Sequence, residues 1–134
     1  MILDKQNLCS DDQAVTVSAA STNVIDMGAD AAEVMAFLEK AGELWAQVTT
    51  TFTGATSMKV AVQVDDAVGF GTAVTVQESE VILEASLVAG YQFRFAQLPP
   101  HLSKRYLRFY YTVDGTHGAG AISAGIVLDK QTNI

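Results

Sequence analysis

The chain is poor in the side chains that do covalent chemistry. Its 134 residues include one cysteine, two histidines, one tryptophan, two prolines and only eight lysines and arginines together. Each scarcity excludes something. With Cys9 alone, no intrachain disulfide can form, which suits a reducing compartment. With a formal net charge of -7, the chain is a poor candidate for gripping a phosphate backbone through bulk positive charge. No apolar run approaches the ~18 residues that a membrane-spanning helix needs. The opening Met1-Ile2-Leu3-Asp4-Lys5-Gln6 has an acidic residue at once and no apolar signal-peptide region. The expectation is synthesis in the cytoplasm, with departure only as part of a larger particle.

The few reactive groups are not arranged for catalysis. His101 follows Pro100, and His117 sits between Thr116 and Gly118, both where turns are expected. Neither belongs to a His-x-His or His-Glu-x-x-His pattern, whereas a zinc or iron site needs three or four convergent ligands. Asp65-Asp66 has an acidic pair's look, but the alternating oxygen ligands and distal glutamate of a calcium loop are missing. Gly69-Phe70-Gly71 falls between strands and reads as a turn. The expectation is no enzyme activity, no metal and no cofactor.

What the chain has is alternation. Leu44, Ala46, Val48, Thr50 and Phe52 share one face and Trp45, Gln47, Thr49 and Thr51 the other. After Thr53-Gly54-Ala55 the period resumes with Met58, Val60, Val62 and Val64. Shorter strands are predicted over 14–17, 24–26, 72–77, 81–83 and 86–88, with Tyr91, Phe93 and Phe95 alternating after Gly90. Leu98-Pro99-Pro100 breaks the pattern, because proline cannot donate into a ladder. The strongest strand follows, with Leu107, Phe109, Tyr111 and Val113 inward, then an Asp114-Gly115 turn signal and a last strand over about 121–128. One segment, Asp30 to Gly42, has helical spacing, with Val34, Phe37, Leu38 and Ala41 on one face.

About eight strands, short breaks and no βαβ spacing predict an all-β, jelly-roll-like antiparallel β-sandwich with at most one short helix. Another sandwich or a small barrel fits the same pattern. Residues 1–12 read as an N-terminal arm, in which Ile2, Leu3 and Leu8 are the apolar groups among polar ones, and 13–134 as a single domain.

The candidate functional surface is basic and aromatic. Lys104, Arg105 and Arg108, with Arg94 from the preceding segment, hold half of the positive charge. Tyr106 and Tyr110 share the expected outward face with Arg108, and tyrosine and arginine are enriched at interface hot spots. Trp45 is expected on an outer sheet face, where exposure would support an interface or a sugar platform. An aromatic strand that simply covers a sheet is the competing explanation.

Several segments carry a resemblance: Leu3-Asp4-Lys5-Gln6, Ser21-Thr22-Asn23-Val24-Ile25-Asp26, Leu87-Val88-Ala89-Gly90-Tyr91, Lys104-Arg105-Tyr106-Leu107-Arg108 with Tyr111-Thr112-Val113, and Thr116 through Asp129. In this order, spanning nearly the whole chain, they resemble the Bbp16-like family of tailed-bacteriophage capsid cement (decoration) proteins. The resemblance implies a non-enzymatic jelly-roll protein without cofactors, on the outside of an HK97-like icosahedral shell. There it would self-associate as a dimer or trimer and bridge neighbouring major capsid subunits, touching neither nucleic acid nor membrane. Residues 30–43 depart from the family pattern, where a glycine-rich loop is expected instead of a helix-like stretch. The rival reading is a carbohydrate-binding or host-surface-binding sandwich module on the virion.

Overall fold

The computed structural model describes residues 8–28, 43–95 and 104–127. Two long antiparallel strands dominate it. β4 (Glu43–Asp65) and β7 (Tyr106–Val127) pair from Glu43 opposite Val127 to Asp65 opposite Tyr106. The alternation of valine, threonine and aromatic residues makes both of them strand, because branched and ring side chains pack well on a pleated surface. The register slips repeatedly between Val48 and Ser57. These bulges bend the ribbon and divide it into two arms.

Each arm is widened by shorter strands. β1 (Leu8–Ala14) pairs with β7 in the first arm, opposite Ala121 to Gly125. On the other side of that arm, Gly90 to Phe93 run beside β4, with Phe93 N–H donating to the Ala46 carbonyl and Val48 N–H to Tyr91. In the second arm β2 (Ala19–Ala20) and β3 (Ile25–Asp26) pair with β7. β5 (Val74–Glu78) and β6 (Ile82–Leu83) pair with β4. The main path runs β1-β7-β4-β5, all antiparallel and, among the described residues, open at both ends.

One core joins the arms. Ala46, Val48, Ile122 and Ala124 from the first arm cluster with Met58, Val60, Val62, Val64, Leu107, Phe109 and Tyr111 from the second. The ribbon is thus folded over on itself, and the arms form the layers of an antiparallel β-sandwich. Phe95 reaches across to meet Phe109 edge-on, ring centroids 6.0 Å apart. The chain is all-β, as its periodicity predicts, with seven strands among the described residues and one 3-10 turn at Glu84–Ser86.

Four expectations need correction. The strand placed at 14–17 does not form: Ala14 is the last residue of β1, which starts at Leu8 inside the stretch read as an arm, residues 15–18 bend from β1 to β2, and Leu8, Cys9 and Ser10 are buried. The strand placed at 86–88 is replaced by the 3-10 turn, and Leu87 is pinned by Phe52 N–H on its carbonyl. The break in alternation at Thr53-Gly54-Ala55 does not divide two strands, and the turn expected at Asp114-Gly115 does not reverse the chain. Ala55 lies opposite Gly115, and both strands run through the bend. Ile2, Leu3, His101 and the helix-like segment from Asp30 to Gly42 lie outside the described residues.

Candidate interaction face

β7 carries the candidate face because a strand's period of two sends Leu107, Phe109 and Tyr111 into the core and Tyr106, Arg108 and Tyr110 outward. The outward three are half-buried. Arg108 is held on three sides. Its Nε donates to Gln63 Oε1 at 2.9 Å, its guanidinium carbon lies 4.2 Å from the centre of the Phe70 ring, and Tyr110 stands 5.6 Å away. Stacking of this kind fixes the plane of a guanidinium while leaving its outer N–H groups to face solvent.

Phe70 is in place because its loop is organised by a single carboxylate. Asp65 is buried and accepts N–H groups from Asp66 at 2.6 Å, Ala67 at 3.3 Å and Thr72 at 2.9 Å, with the Thr72 hydroxyl at 2.9 Å. The Thr72 N–H bond leads in pulling its pKa below the usual carboxylate value. Phe70 adopts φ 52°, and its N–H returns to the Ala67 carbonyl at 3.0 Å. The Asp65-Asp66 pair is therefore a loop organiser plus an ion-pair partner, and no group of three or more metal-ligating side chains occurs among the described residues.

The other basic residues differ. Lys104 pairs with Asp66 at 2.8 Å, and Arg105 grips Asp26 through Nε at 2.7 Å and Nη2 at 3.0 Å. Chiefly through that Arg105 bond, Asp26 is pushed down to about 2. Both cations are thus answered within the chain. Arg94 is exposed between Phe93 and Phe95, beside the first arm. Among the described residues no hydrogen bond, ion pair or ring contact joins it to the Tyr106–Tyr110 group in the second arm. Among the described residues Arg108 has no carboxylate partner.

Two aromatic expectations are overturned. Trp45 is only 3 % exposed, clustered with Leu8 and Val127, so it offers no outward platform. The structure thereby also removes Leu8 from any free, unpacked arm. His117 is not in a turn. It lies within β7, 2 % exposed, with its ring centroid 4.5 Å from that of Phe52 and Nδ1 3.1 Å from Glu84 Oε1. Glu84 Oε2 accepts the Ala55 N–H. This pair ties the 3-10 turn to the bend of the ribbon. The surrounding glycines hid it, since Thr-His-Gly reads locally as a loop.

The fold is an antiparallel β-sandwich that carries an ordered aromatic and arginine strand on its outer face. The Bbp16 family profile matches residues 9–126, and the chain belongs to that family. No curated protein matches it. No helix among the described residues is long and apolar enough to cross a membrane.

Proposed function

We propose that this chain is a structural virion protein that binds the outer surface of an icosahedral phage head and cements neighbouring major capsid subunits, stabilising the expanded, DNA-filled shell. It works without enzyme activity or cofactor, is made in the bacterial host cytoplasm and contacts neither nucleic acid nor membrane. Its partners are the major capsid protein of an HK97-like shell and further copies of itself. The segments that resemble capsid cement proteins fall within or beside the matched 9–126 range and support this reading.

The observation that carries it is Arg108. Its guanidinium is stacked on Phe70, anchored by Gln63 and flanked by Tyr110, yet has no acid of its own among the described residues. A preoriented arginine of this kind is suited to a carboxylate on a partner protein, because the fork is already ordered before contact. Many such contacts per particle add up to high avidity even when each is weak. The carbohydrate-binding alternative loses Trp45, one of the three aromatics that a sugar-stacking row would use.

The test is occupancy on purified heads. Arg108→Glu should bind at a fraction of the wild-type level, and added salt should weaken the wild type in the same direction. Full occupancy of heads by the charge-reversed protein would overturn the role given to this face.

A further inference from the structure

The loop from Asp66 to Thr72 places its backbone strain on an aromatic residue. Phe70 has φ 52°, in the left-handed region that glycine enters freely and a bulky side chain enters at a cost. The glycines on either side are not in that region. Neither Gly69 nor Gly71 has a positive φ, and a Cβ at either would meet nothing within 4 Å. A loop that only had to turn would carry its glycine at 70. The Phe70 ring is buried, yet among the described residues it belongs to neither apolar cluster. It lies outside the sandwich core, against the Arg108 guanidinium at 4.2 Å. Strain held at one residue marks a position whose side chain is used.

Two constraints then fix the guanidinium. Phe70 sets its plane, and the bond from Nε to Gln63 Oε1 at 2.9 Å sets its rotation within that plane. A guanidinium can take a carboxylate along either of two edges: Nε with one Nη, or the two Nη together. Arg105 uses the first, gripping Asp26 through Nε and Nη2. At Arg108 the Nε edge is closed by Gln63. The edge made by Nη1 and Nη2 forms no hydrogen bond among the described residues. Lys59, Lys104 and Arg105 on the same arm each have a carboxylate of their own, so a visiting acid finds its open cation at Arg108.

We infer that Phe70 is a positioning residue, and that with Gln63 it aims Arg108 at one ligand: an aspartate or glutamate side chain of a partner protein, taken by Nη1 and Nη2 together. This rests on the role given to Arg108 under the proposed function and names the geometry of its contact. The partner carboxylate enters in the plane of the guanidinium and accepts two parallel N–H bonds. A lysine at 108 keeps the charge and the contact with the ring but cannot make that pair. A glutamate at 63 puts a carboxylate beside the fork from within the chain and competes with the partner's.

The experiment reads positioning on the free protein by NMR and binding on purified heads. In free wild type the Arg108 Nε–H group should be ordered like a backbone amide, with an order parameter of about 0.85, and in Phe70→Leu it should fall below about 0.6. Arg108→Lys and Phe70→Leu should each raise the half-saturating concentration on heads by about tenfold or more, the size of one charged hydrogen bond. Gln63→Glu should do the same with an unchanged or higher melting temperature, a combination that a merely structural role for Gln63 does not produce. That variant also decides the matter should Phe70→Leu not fold. Adding Phe70→Leu to Arg108→Ala should weaken binding no further, because the ring acts through the arginine. A disordered Arg108 side chain in wild type overturns the inference. So do heads that lose Arg108→Glu but bind Arg108→Lys and Gln63→Glu as tightly as wild type, and that result leaves the surface itself standing. Full occupancy by Arg108→Glu removes the surface, and this inference with it.

Discussion

Tyr111 shows how much a single buried hydroxyl does in this fold. Its ring is wholly buried, and its Oη lies 2.6 Å from Ser10 Oγ. Ser10 has one proton, and it goes to Gln13 Oε1 at 2.6 Å, so Tyr111 donates and Ser10 accepts. The relay continues from Gln13 to the Ala20 carbonyl at 3.1 Å and joins β1, β2 and the second arm. Removing one member leaves another unsatisfied, and the cost depends on which. Tyr111→Phe deletes the donor and should cost about 1 kcal/mol in urea unfolding. Ser10→Ala strands the tyrosine hydroxyl in the core and should cost more, about 2 kcal/mol. Equal or negligible losses would show that water takes over the vacated partner. The inward placement of Tyr111 is legible in the alternation of 107–113, but its partner is not. The two residues are 101 positions apart, and only the folded ribbon brings them together. The same holds for Arg105 and Asp26, 79 positions apart. The outward Tyr106, Arg108 and Tyr110 could be read from period alone, whereas which of the basic residues is left unanswered could not.

At the scale of elements, β4 and β7 were legible as strands and illegible as continuous ones. Gly54 and Gly115 signal positive φ, and the structure gives them 98° and 100°. Hairpin turns and β-bulges use the same backbone conformation, so a sequence that marks one marks the other. What decides between them is the partner strand, because bulges at the same level on two paired strands bend both instead of ending either. Gly120 carries the tightest requirement of this bend. It has φ 134°, and a Cβ there would lie 2.1 Å from Phe52 Cδ1. Phe52 cannot swing aside, since it is buried in the core with its ring on His117. Gly120→Ala combines backbone strain with overpacking and should cost about 3 kcal/mol in urea unfolding. Gly71→Ala is the control, because nothing lies within 4 Å of its added methyl. It should be neutral within about 0.5 kcal/mol. A mild effect at Gly120 would mean that the bend has room to open, and that its continuity is not what holds the arms face to face.

For the whole molecule, the stability curve with pH is set on its alkaline side by two acids in the core. Cys9 is fully buried on β1, and desolvation pushes its thiol from 9.0 up to about 12, against smaller lowering contributions from bonds to Ser21, Phe109 and Ile25. Tyr111 is raised as well, again mainly by burial. Both groups are neutral when protonated, and the fold holds those protons more tightly than the unfolded chain does. Below about pH 9 both states are protonated at Cys9, and that group makes no difference to stability. Above it the unfolded thiol ionises while the folded one does not, so stability falls until pH passes about 12. Each group contributes a slope of about 1.4 kcal/mol per pH unit in its window. Urea midpoints should therefore hold steady up to about pH 8 and drop steeply by about pH 11. Cys9→Ala removes one of the two titrations and should flatten the alkaline limb relative to wild type at the same net charge elsewhere. A limb of equal steepness in that variant would assign the loss to repulsion among the 15 acidic residues instead of to the core. In the native protein the same burial should keep Cys9 unreactive towards thiol reagents at neutral pH, with labelling that appears only as urea opens the sheet.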